Sequence, residues 1–306
     1  LTIYSGRDEA LVAPVLQDFV EETGIDVDIR YGDSGELALL INEEGARARA
    51  DVFLSQSPGP TAAVAAGEAG LSLLPSDLVE RVDERWRGPE GRWVGVTARQ
   101  RVLVYNTEMV ARDELPDSVF DLVEPEYEGE VALAPTNASF QDFVTAMREI
   151  EGDDATRAWL EGMVANGSPT YADNSSIVAA VGRGEVPMGL VNHYYNYRAL
   201  EEDPSLPSRN HVFPEDDPGS LLIDSTVAVL AVSEHQEEAE RFVEFLLEEH
   251  AQEFFSRETF EYPLVEGAEP PEALPPLDDL GGPDVDLTAL DDLEETARMI
   301  EDSGLL

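Results

Sequence analysis

The sequence contains no cysteine and no lysine, and it has no long apolar run. The absence of cysteine excludes disulfides, thiolate metal sites and thiol catalysis. No apolar stretch approaches the roughly 20 residues that a membrane-spanning helix needs, so no membrane insertion is expected. The 19 basic residues are all arginine, against 65 Asp and Glu, for a formal net charge of -46. This charge repels nucleic acid and anionic membrane surfaces, so neither is an expected partner.

The remaining composition predicts two domains with a strongly acidic surface. A chain of 306 residues is long enough for two domains that each bury a core. Salt screens the mutual repulsion of so many carboxylates, so the composition is typical of a protein kept in solution at high ionic strength. A halophilic source and a source with a GC-rich genome both fit this composition.

Short β-branched runs alternate with helical patterns, which predicts an α/β fold. "LTIYS", "IDVDIRY" and "DVFLS" each precede a helical pattern, and this βαβα order favours parallel pairing. Two longer apolar stretches, residues 92–106 and 221–232, are long enough to cross from one domain to the other. Helices over residues 235–256 and 287–302 are predicted to finish the chain.

These patterns predict two α/β lobes, each a mixed sheet flanked by helices, joined by two β crossover strands. Such a clamshell would close on a ligand by hinge motion. The predicted boundaries are an N-terminal lobe of residues 1–99 plus 227–275, a C-terminal lobe of residues 100–226 plus 276–306, and a hinge near residues 98–103 and 223–228.

One histidine and three tyrosines lie within residues 193–197. Tyr194 and Tyr195 follow the predicted strand "VPMGLVN", at the edge where α/β sheets bind ligands. Adjacent helical residues point about 100° apart, so two phenols can share a ligand only at such a strand-to-helix junction. Phenols that lose their protons suit a hard cation such as Fe(III). The alternative is packing, since Tyr194 and Tyr197 are three residues apart and form a plausible core face.

Two further features favour an anion site. Arg99 and Arg101 are two apart on a predicted strand, so their side chains leave on the same face. They either bind an anion or pair with surface carboxylates. Helix starts are predicted near Asn137 or Ser139, and again in "YADNSSIV", where Asn174, Ser175 and Ser176 are candidate caps. Free N–H groups at such helix starts can hold an anion, although most capped helices bind none.

Taken together, these stretches resemble a known family, the periplasmic ferric-iron-binding proteins of ABC importers. The resemblance runs through almost the whole chain in collinear order. It is carried by "YSGRDE", "FVEETGIDV", "ADVFLSQ", "ARQRVLVYN", "APTNASF", "NSSIVAAVGRGEVPMGLVNHYYNYR", "DPGSLLIDSTVAVL" and "EYPLV". Its most specific part is the N-x-YY-x-Y block. The resemblance implies the type II clamshell of periplasmic binding proteins.

The resemblance also implies roles for individual residues. Tyr194 and Tyr195 would be phenolate ligands to Fe(III), and carbonate or phosphate would complete the coordination sphere as a synergistic anion. The anion-holding residues it implies are Arg101, Thr136, Asn137, Ala138, Ser139, Asn174 and Ser175, with Arg99 and Arg7 as weaker helpers. Asn192, His193 and Tyr197 would lie around the ligands and support them, His193 through hydrogen bonding rather than ligation.

The first lobe departs from the family pattern. Many members have a histidine ligand where this chain has Asp8, and some have a tyrosine where it has Glu9. Gln56 stands where members of the histidine type have a ligand glutamate. Asp8 or Glu9 could serve as hard oxygen ligands, which Fe(III) accepts. They could equally be solvated acids at a helix N-terminus, where the helix dipole favours negative charge.

The expected function is therefore an extracytoplasmic receptor that captures Fe(III) with an anion and delivers it to an ABC permease. We expect a monomer, in the periplasm or at the cell surface, where a lipid anchor on residues before the printed sequence could hold it. One alternative is a receptor of the same fold for an organic or oxyanion solute such as a phosphonate or sugar phosphate. Another is a two-lobed α/β transferase, although no catalytic set stands out and no enzyme activity is expected.

Overall fold

Short strands and helices alternate along the chain, as the residue pattern predicts. The computed structural model describes residues 1–289 and 293–306. The strands are β1 (Thr2–Ser5), β2 (Asp28–Tyr31), β3 (Val52–Ser55), β4 (Trp93–Asn106), β5 (Val131–Ala132), β6 (Met188–Asn192), β7 (Ser208–His211), β8 (Leu222–Val229) and β9 (Tyr262–Pro263). The helices are α1 (Glu9–Thr23), α2 (Ser34–Glu44), α3 (Pro58–Ala66), α4 (Ser76–Val79), α5 (Ala138–Glu151), α6 (Asp153–Ala165), α7 (Asn174–Gly182), α8 (His193–Glu202), α9 (Gln236–Leu246), α10 (Glu249–Phe254) and α11 (Leu293–Ser303).

Both predicted C-terminal helices differ from the expectation. The first is interrupted: α9 ends at Leu246, α10 begins at Glu249, and a π-helical turn follows over Phe255–Thr259. The second begins at Leu293, after a short 3-10 turn over Leu287–Ala289. Residues 290–292, which fall within that predicted helix and within the predicted C-terminal lobe, lie outside the described residues.

The chain divides into two compact units. Unit 1 contains Leu1–Ala98, Ile223–Pro276 and the turn at Leu287–Ala289, and unit 2 contains Arg99–Leu222, Leu277–Asp286 and residues 293–306. The chain passes from one unit to the other inside β4 and again at the start of β8, which are the two long strands that the sequence predicts. None of the helices in the described ranges is long and apolar enough to cross a membrane.

Unit 1 contains a mixed sheet in the order β2-β1-β3-β8-β4, and β9 also pairs with β4. The first three strands are parallel, as predicted, whereas β8 runs antiparallel to β3. Asp8 caps α1 by accepting from the Ala10 N–H, and Gly24 ends this helix in the left-handed conformation. Phe19 of α1 packs edge-on against Phe242 and Phe245 of α9.

Unit 2 contains a second mixed sheet, in which β4 lies between β6 and β7 and β5 completes the edge. β4 is antiparallel to β6 and to β7, and β5 is parallel to β6. Phe140 and Phe143 of helix α5 form an aromatic cluster with Trp159 of α6. The Trp159 indole N–H donates to the Val119 carbonyl. The sheet therefore places Asn192, at the carboxyl end of β6, opposite Arg101 in the middle of β4.

The aromatic core of unit 1 predicts a large loss of stability when its central ring is removed. We expect Phe19→Ala to lower the free energy of unfolding by about 3–5 kcal/mol, because it opens a cavity among packed rings. The matched control is Leu39→Ala at a side chain that is 66% exposed, for which a change within about 0.5 kcal/mol is expected. Urea denaturation followed by circular dichroism measures both, and equal effects would contradict this packing.

Candidate functional site

The paired tyrosines lie where a strand becomes a helix, as the sequence predicts. β6 ends at Asn192, and α8 begins at His193, so Tyr194 and Tyr195 occupy its first turn. Tyr194 is 1% exposed, and Tyr195 is partly buried. Their rings stack, with centroids 4.3 Å apart and an interplanar angle of 29°. The junction therefore brings two phenol side chains together, one of them inside unit 2 and one reaching toward its surface.

Arg101 connects three separate segments of unit 2. It lies opposite Asn192 in the β4–β6 pairing. Its Nη1 donates to Asn192 Oδ1 at 3.3 Å, to Asn174 Oδ1 at 3.4 Å and to Ser139 Oγ at 3.5 Å, and its Nη2 donates to the Leu190 carbonyl at 3.0 Å. The structure thus brings together three predicted anion-site segments around one guanidinium group.

The acceptors that face Arg101 are neutral, so its positive charge is not cancelled by a hydrogen-bonded carboxylate. Arg101 is only 2% exposed. Burial, together with the nearby charge of Arg99, lowers the pKa of Arg101 to about 9, while Asp142, Tyr195 and Tyr194 act in the opposite direction. The group therefore keeps its charge at neutral pH, and this region of unit 2 is electropositive inside an acidic protein.

The start of α5 carries a network of hydrogen bonds around Asn137, which caps this helix as predicted. Asn137 Oδ1 accepts from the Ser139 N–H at 3.1 Å and from the Ser139 hydroxyl at 2.6 Å. The Asn174 amide donates to the same Oδ1 and to Ser139 Oγ, both at 3.2 Å. Of the neighbouring predicted residues, Ala138 is partly buried and Thr136 is exposed. The network joins the beginnings of α5 and α7.

The predicted caps of α7 are wrong. Asp173 caps this helix, and its carboxylate accepts from the Ser176 N–H at 2.7 Å. A carboxylate is a strong cap, so it takes the position that the sequence analysis gave to Asn174, Ser175 or Ser176. Asn174 is instead the first helical residue, buried, with its amide oxygen toward Arg101. Ser175 is exposed.

Two amide groups are oriented by Arg101. Because the oxygens of Asn174 and Asn192 accept from the guanidinium, their NH2 groups are directed elsewhere. The NH2 group of Asn174 reaches the α5 network, whereas that of Asn192 is buried and has no hydrogen-bond partner in the described part of the chain. A buried donor without a partner is costly, so Asn192 is a group to which a bound acceptor would be of use.

His193 accepts a hydrogen bond at Nδ1, so this nitrogen carries no proton. Its Nδ1 accepts from the Gln100 N–H at 3.1 Å, and its carbonyl accepts from the Asn210 amide at 3.0 Å. The ring also lies edge-on to Tyr194 and Tyr197. Since Nδ1 accepts this hydrogen bond, it carries no proton, and the ring packs against the tyrosine turn. Burial raises the pKa of Tyr197, which keeps it a neutral phenol at physiological pH.

Asp142 is a residue of this region that the sequence analysis missed. It lies on α5 and forms a buried ion pair with Arg99, with 3.5 Å between Asp142 Oδ2 and Arg99 Nη2. The signal for it was an acid between Phe140 and Phe143, on the apolar face of an amphipathic helix. Arg99 and Arg101 are both buried, and the carboxylate beside Arg99 is the buried Asp142, which does not fit the alternative of pairing with surface carboxylates.

The predicted residues of unit 1 are placed as follows within that unit. Asp8 caps α1, and Glu9 is the first residue of this helix and exposed. Gln56 follows β3 and is partly buried, with its N–H donating to Ser34 Oγ at 2.9 Å. The guanidinium of Arg7 is buried and donates to Glu261 at 2.6 Å. Arg7 therefore already has an anionic partner in its own unit.

A second group of possible metal ligands lies on the surface of unit 1. The side chains of Glu22, Glu248 and His250 approach within 4.8 Å of one another. Arg241 lies among them and pairs with Glu248 at 2.7 Å and with Glu22 at 3.3 Å. These ion pairs account for the convergence of the carboxylates without a metal ion.

Known proteins are similar to this chain over its full length. The family described as bacterial extracellular solute-binding protein matches residues 51–279. The Fe(3+)-binding periplasmic protein of Serratia marcescens is 34% identical, with 100% of this chain and 90% of that protein covered. The major ferric iron-binding protein of Neisseria meningitidis serogroup B is 31% identical, with 100% and 93% covered. Iron-bound HitA from Pseudomonas aeruginosa has a TM-score of 0.93 and 36% identity, with 99% of each chain covered.

The contact between His193 and Gln100 predicts a difference between two substitutions. We expect His193→Leu to lower the free energy of unfolding by about 1–3 kcal/mol, because the buried Gln100 N–H loses its acceptor. In His193→Asn the amide oxygen can accept in place of Nδ1, so a smaller loss is expected. Urea denaturation compares the two variants, and equal losses would contradict the acceptor role of the imidazole.

Proposed function

The chain belongs to the bacterial extracellular solute-binding protein family, and from this premise we propose that it captures Fe(III) together with a small anion. The observation that carries the proposal is the stacked pair Tyr194 and Tyr195 beside the buried Arg101. Phenol oxygens that lose their protons are hard anionic donors and suit Fe(III). The relatives named for ferric iron support the same cargo.

The positive region beside the tyrosines suits the anion. Carbonate and phosphate both present several acceptor oxygens, which match the donors of Asn192 and the α5 start. In this proposal Arg101 does not contact the anion. It orients the amides of Asn174 and Asn192 by hydrogen bonds, and its positive charge attracts the anion at a distance. The N-terminus of α5 adds the N–H group of Ala138, whereas that of Ser139 already donates to Asn137. Thr136 and Ser175 are exposed and remain predictions.

Iron would bind with loss of protons from Tyr194 and Tyr195, so acid would favour its release. Asp8, Glu9 and Gln56 in unit 1 remain predicted further ligands, and the hinge near residues 98–103 and 223–228 remains a prediction. Arg7 is left out of the anion site, because its charge is balanced by Glu261.

The family is extracellular, which agrees with the expected location outside the cytoplasm. It consists of solute-binding proteins, so no catalytic residue is assigned. Delivery of the bound iron to an ABC permease, a monomeric state and a lipid anchor are parts of the same proposal.

One alternative is favoured by a specific observation. The Arg101 network with Ser139, Asn174 and Asn192 would also suit the phosphate group of an organic solute. An organic phosphate would not produce a phenolate-to-iron absorption band, so colour separates the two candidates.

Replacement of a ligand tyrosine tests the iron site. Iron-free protein is titrated with a weak ferric chelate, with and without bicarbonate or phosphate, and visible absorption is recorded. We expect a phenolate-to-iron band that saturates near one iron per chain. In Tyr195→Phe the band should be lost or strongly reduced and the affinity should fall by about 100-fold or more, since removal even of groups behind the ligands costs roughly 10–100-fold. Tyr197→Phe is the matched control and should keep the band.

A band that is equal in wild type and Tyr195→Phe would contradict the assignment of Tyr195. Absence of any band with either anion would remove iron as the cargo, and thermal-shift screening of small organic anions would follow.

Replacement of Arg101 tests the anion site. In Arg101→Lys we expect the affinity for phosphate to fall by roughly tenfold or more, because an ammonium group cannot hold the three side-chain acceptors that the planar guanidinium reaches. The matched control is Arg183→Lys, at an exposed arginine of the same unit that pairs with Glu185. Calorimetric titration of iron-free protein with phosphate measures both, and unchanged binding in a folded Arg101→Lys variant would contradict the role of Arg101.

A further inference from the structure

Arg99 is a buried cation whose hydrogen-bonding capacity is not used within the described chain. Its side chain is 1% exposed. Its Nε, Nη1 and Nη2 atoms have no hydrogen-bond partner among the described residues. Arg101, two residues away, donates to four acceptors. Burial of a guanidinium group without hydrogen bonds costs free energy. The hydrogen bonds of Arg101 offset that cost, whereas the burial of Arg99 needs another explanation.

Asp142 compensates the charge of Arg99 without satisfying its donors. The side chain of Asp142 is 5% exposed, and 3.5 Å separates its Oδ2 from Arg99 Nη2. This separation allows strong attraction between the charges but exceeds that of a good hydrogen bond. The two opposite charges therefore balance each other, but the pair lacks a good hydrogen bond.

The pair lies alongside the proposed anion site. Asp142 is three residues from Ser139 on α5, so both project from neighbouring positions on one side of the helix. Arg99 and Arg101 are two residues apart on β4 and share a face of the strand. The charge of Arg99 lowers the pKa of Arg101 and that of Asp142 raises it, so both groups are electrostatically coupled to Arg101. A charge that enters the site would therefore interact with both members of the pair.

We propose that Asp142 is a built-in counterion that competes with the bound anion for Arg99, so that the site binds oxyanions more weakly than it would with Arg99 alone. This inference rests on the anion site of the proposed function. Without anion, Asp142 balances Arg99. A dianion carries enough charge to attract Arg99 in the presence of that carboxylate, and its oxygens give the guanidinium the acceptors that Asp142 does not provide.

The proposal predicts opposite effects for the two members of the pair. Binding of inorganic phosphate to iron-free, full-length protein is measured by calorimetry. We expect Asp142→Asn to bind phosphate about tenfold more tightly and Arg99→Gln to bind it about tenfold more weakly, in the usual range for coupled binding. Glu149→Gln, at an exposed acid on the same helix, is the matched control and should bind like wild type.

The double variant separates competition from a general effect on structure. In the Arg99→Gln background, Asp142→Asn should give a smaller gain in phosphate affinity, because only the direct repulsion between Asp142 and phosphate is then removed. Removal of both charges also avoids an unpaired buried charge, so this variant is suited to fold if a single variant is not. Circular dichroism confirms folding in each case.

Unchanged or weaker phosphate binding in a folded Asp142→Asn variant would overturn the proposal. An equal gain from Asp142→Asn with and without Arg99 would overturn it as well. The measurements use phosphate and no iron, so their outcome is distinct from that of the iron titration.

Discussion

The hydrogen bonds of the buried Arg101 guanidinium are the interaction on which the proposed site depends. One side chain on β4 holds the end of β6 and the beginnings of α5 and α7, through Asn192, Ser139 and Asn174. Because these acceptors are neutral, they satisfy the donors without cancelling the charge. The same contacts turn the Asn192 amide so that its NH2 group is available to an acceptor. Arg101 therefore both fixes the positions of the surrounding site residues and supplies the positive potential of the site.

This arrangement has particular value in so acidic a protein. A net charge of -46 attracts cations to the surface and repels anions. A site that holds an anion beside a ferric ion therefore needs local positive charge that the surface carboxylates do not neutralise. Burial of Arg99 and Arg101 in unit 2 separates them from those carboxylates, and the low-dielectric surroundings strengthen their field. Asp142 is a buried acid inside this region. Unlike the surface acids, it lies beside Arg99 and balances its charge.

The sequence predicts those features that depend on local pattern. The strand-to-helix junction at Tyr194 follows from an apolar run that ends in polar residues, and the shared face of Arg99 and Arg101 follows from their spacing. Features that depend on competition or on distant contacts are not predicted. Asp173, and not Asn174, caps α7. The two residues are adjacent in sequence and both are good caps, so the pattern alone does not choose between them. Arg7 finds Glu261, which is 254 positions away, in the folded unit.

The most direct test of the account is a crystal structure of the protein loaded with iron and phosphate, with anomalous scattering recorded at the iron absorption edge. The account predicts one strong anomalous peak at bonding distance from the phenol oxygens of both Tyr194 and Tyr195, and a phosphate ion within hydrogen-bond distance of the Asn192 amide. An anomalous peak away from these two tyrosines, for example among Glu22, Glu248 and His250, would contradict it.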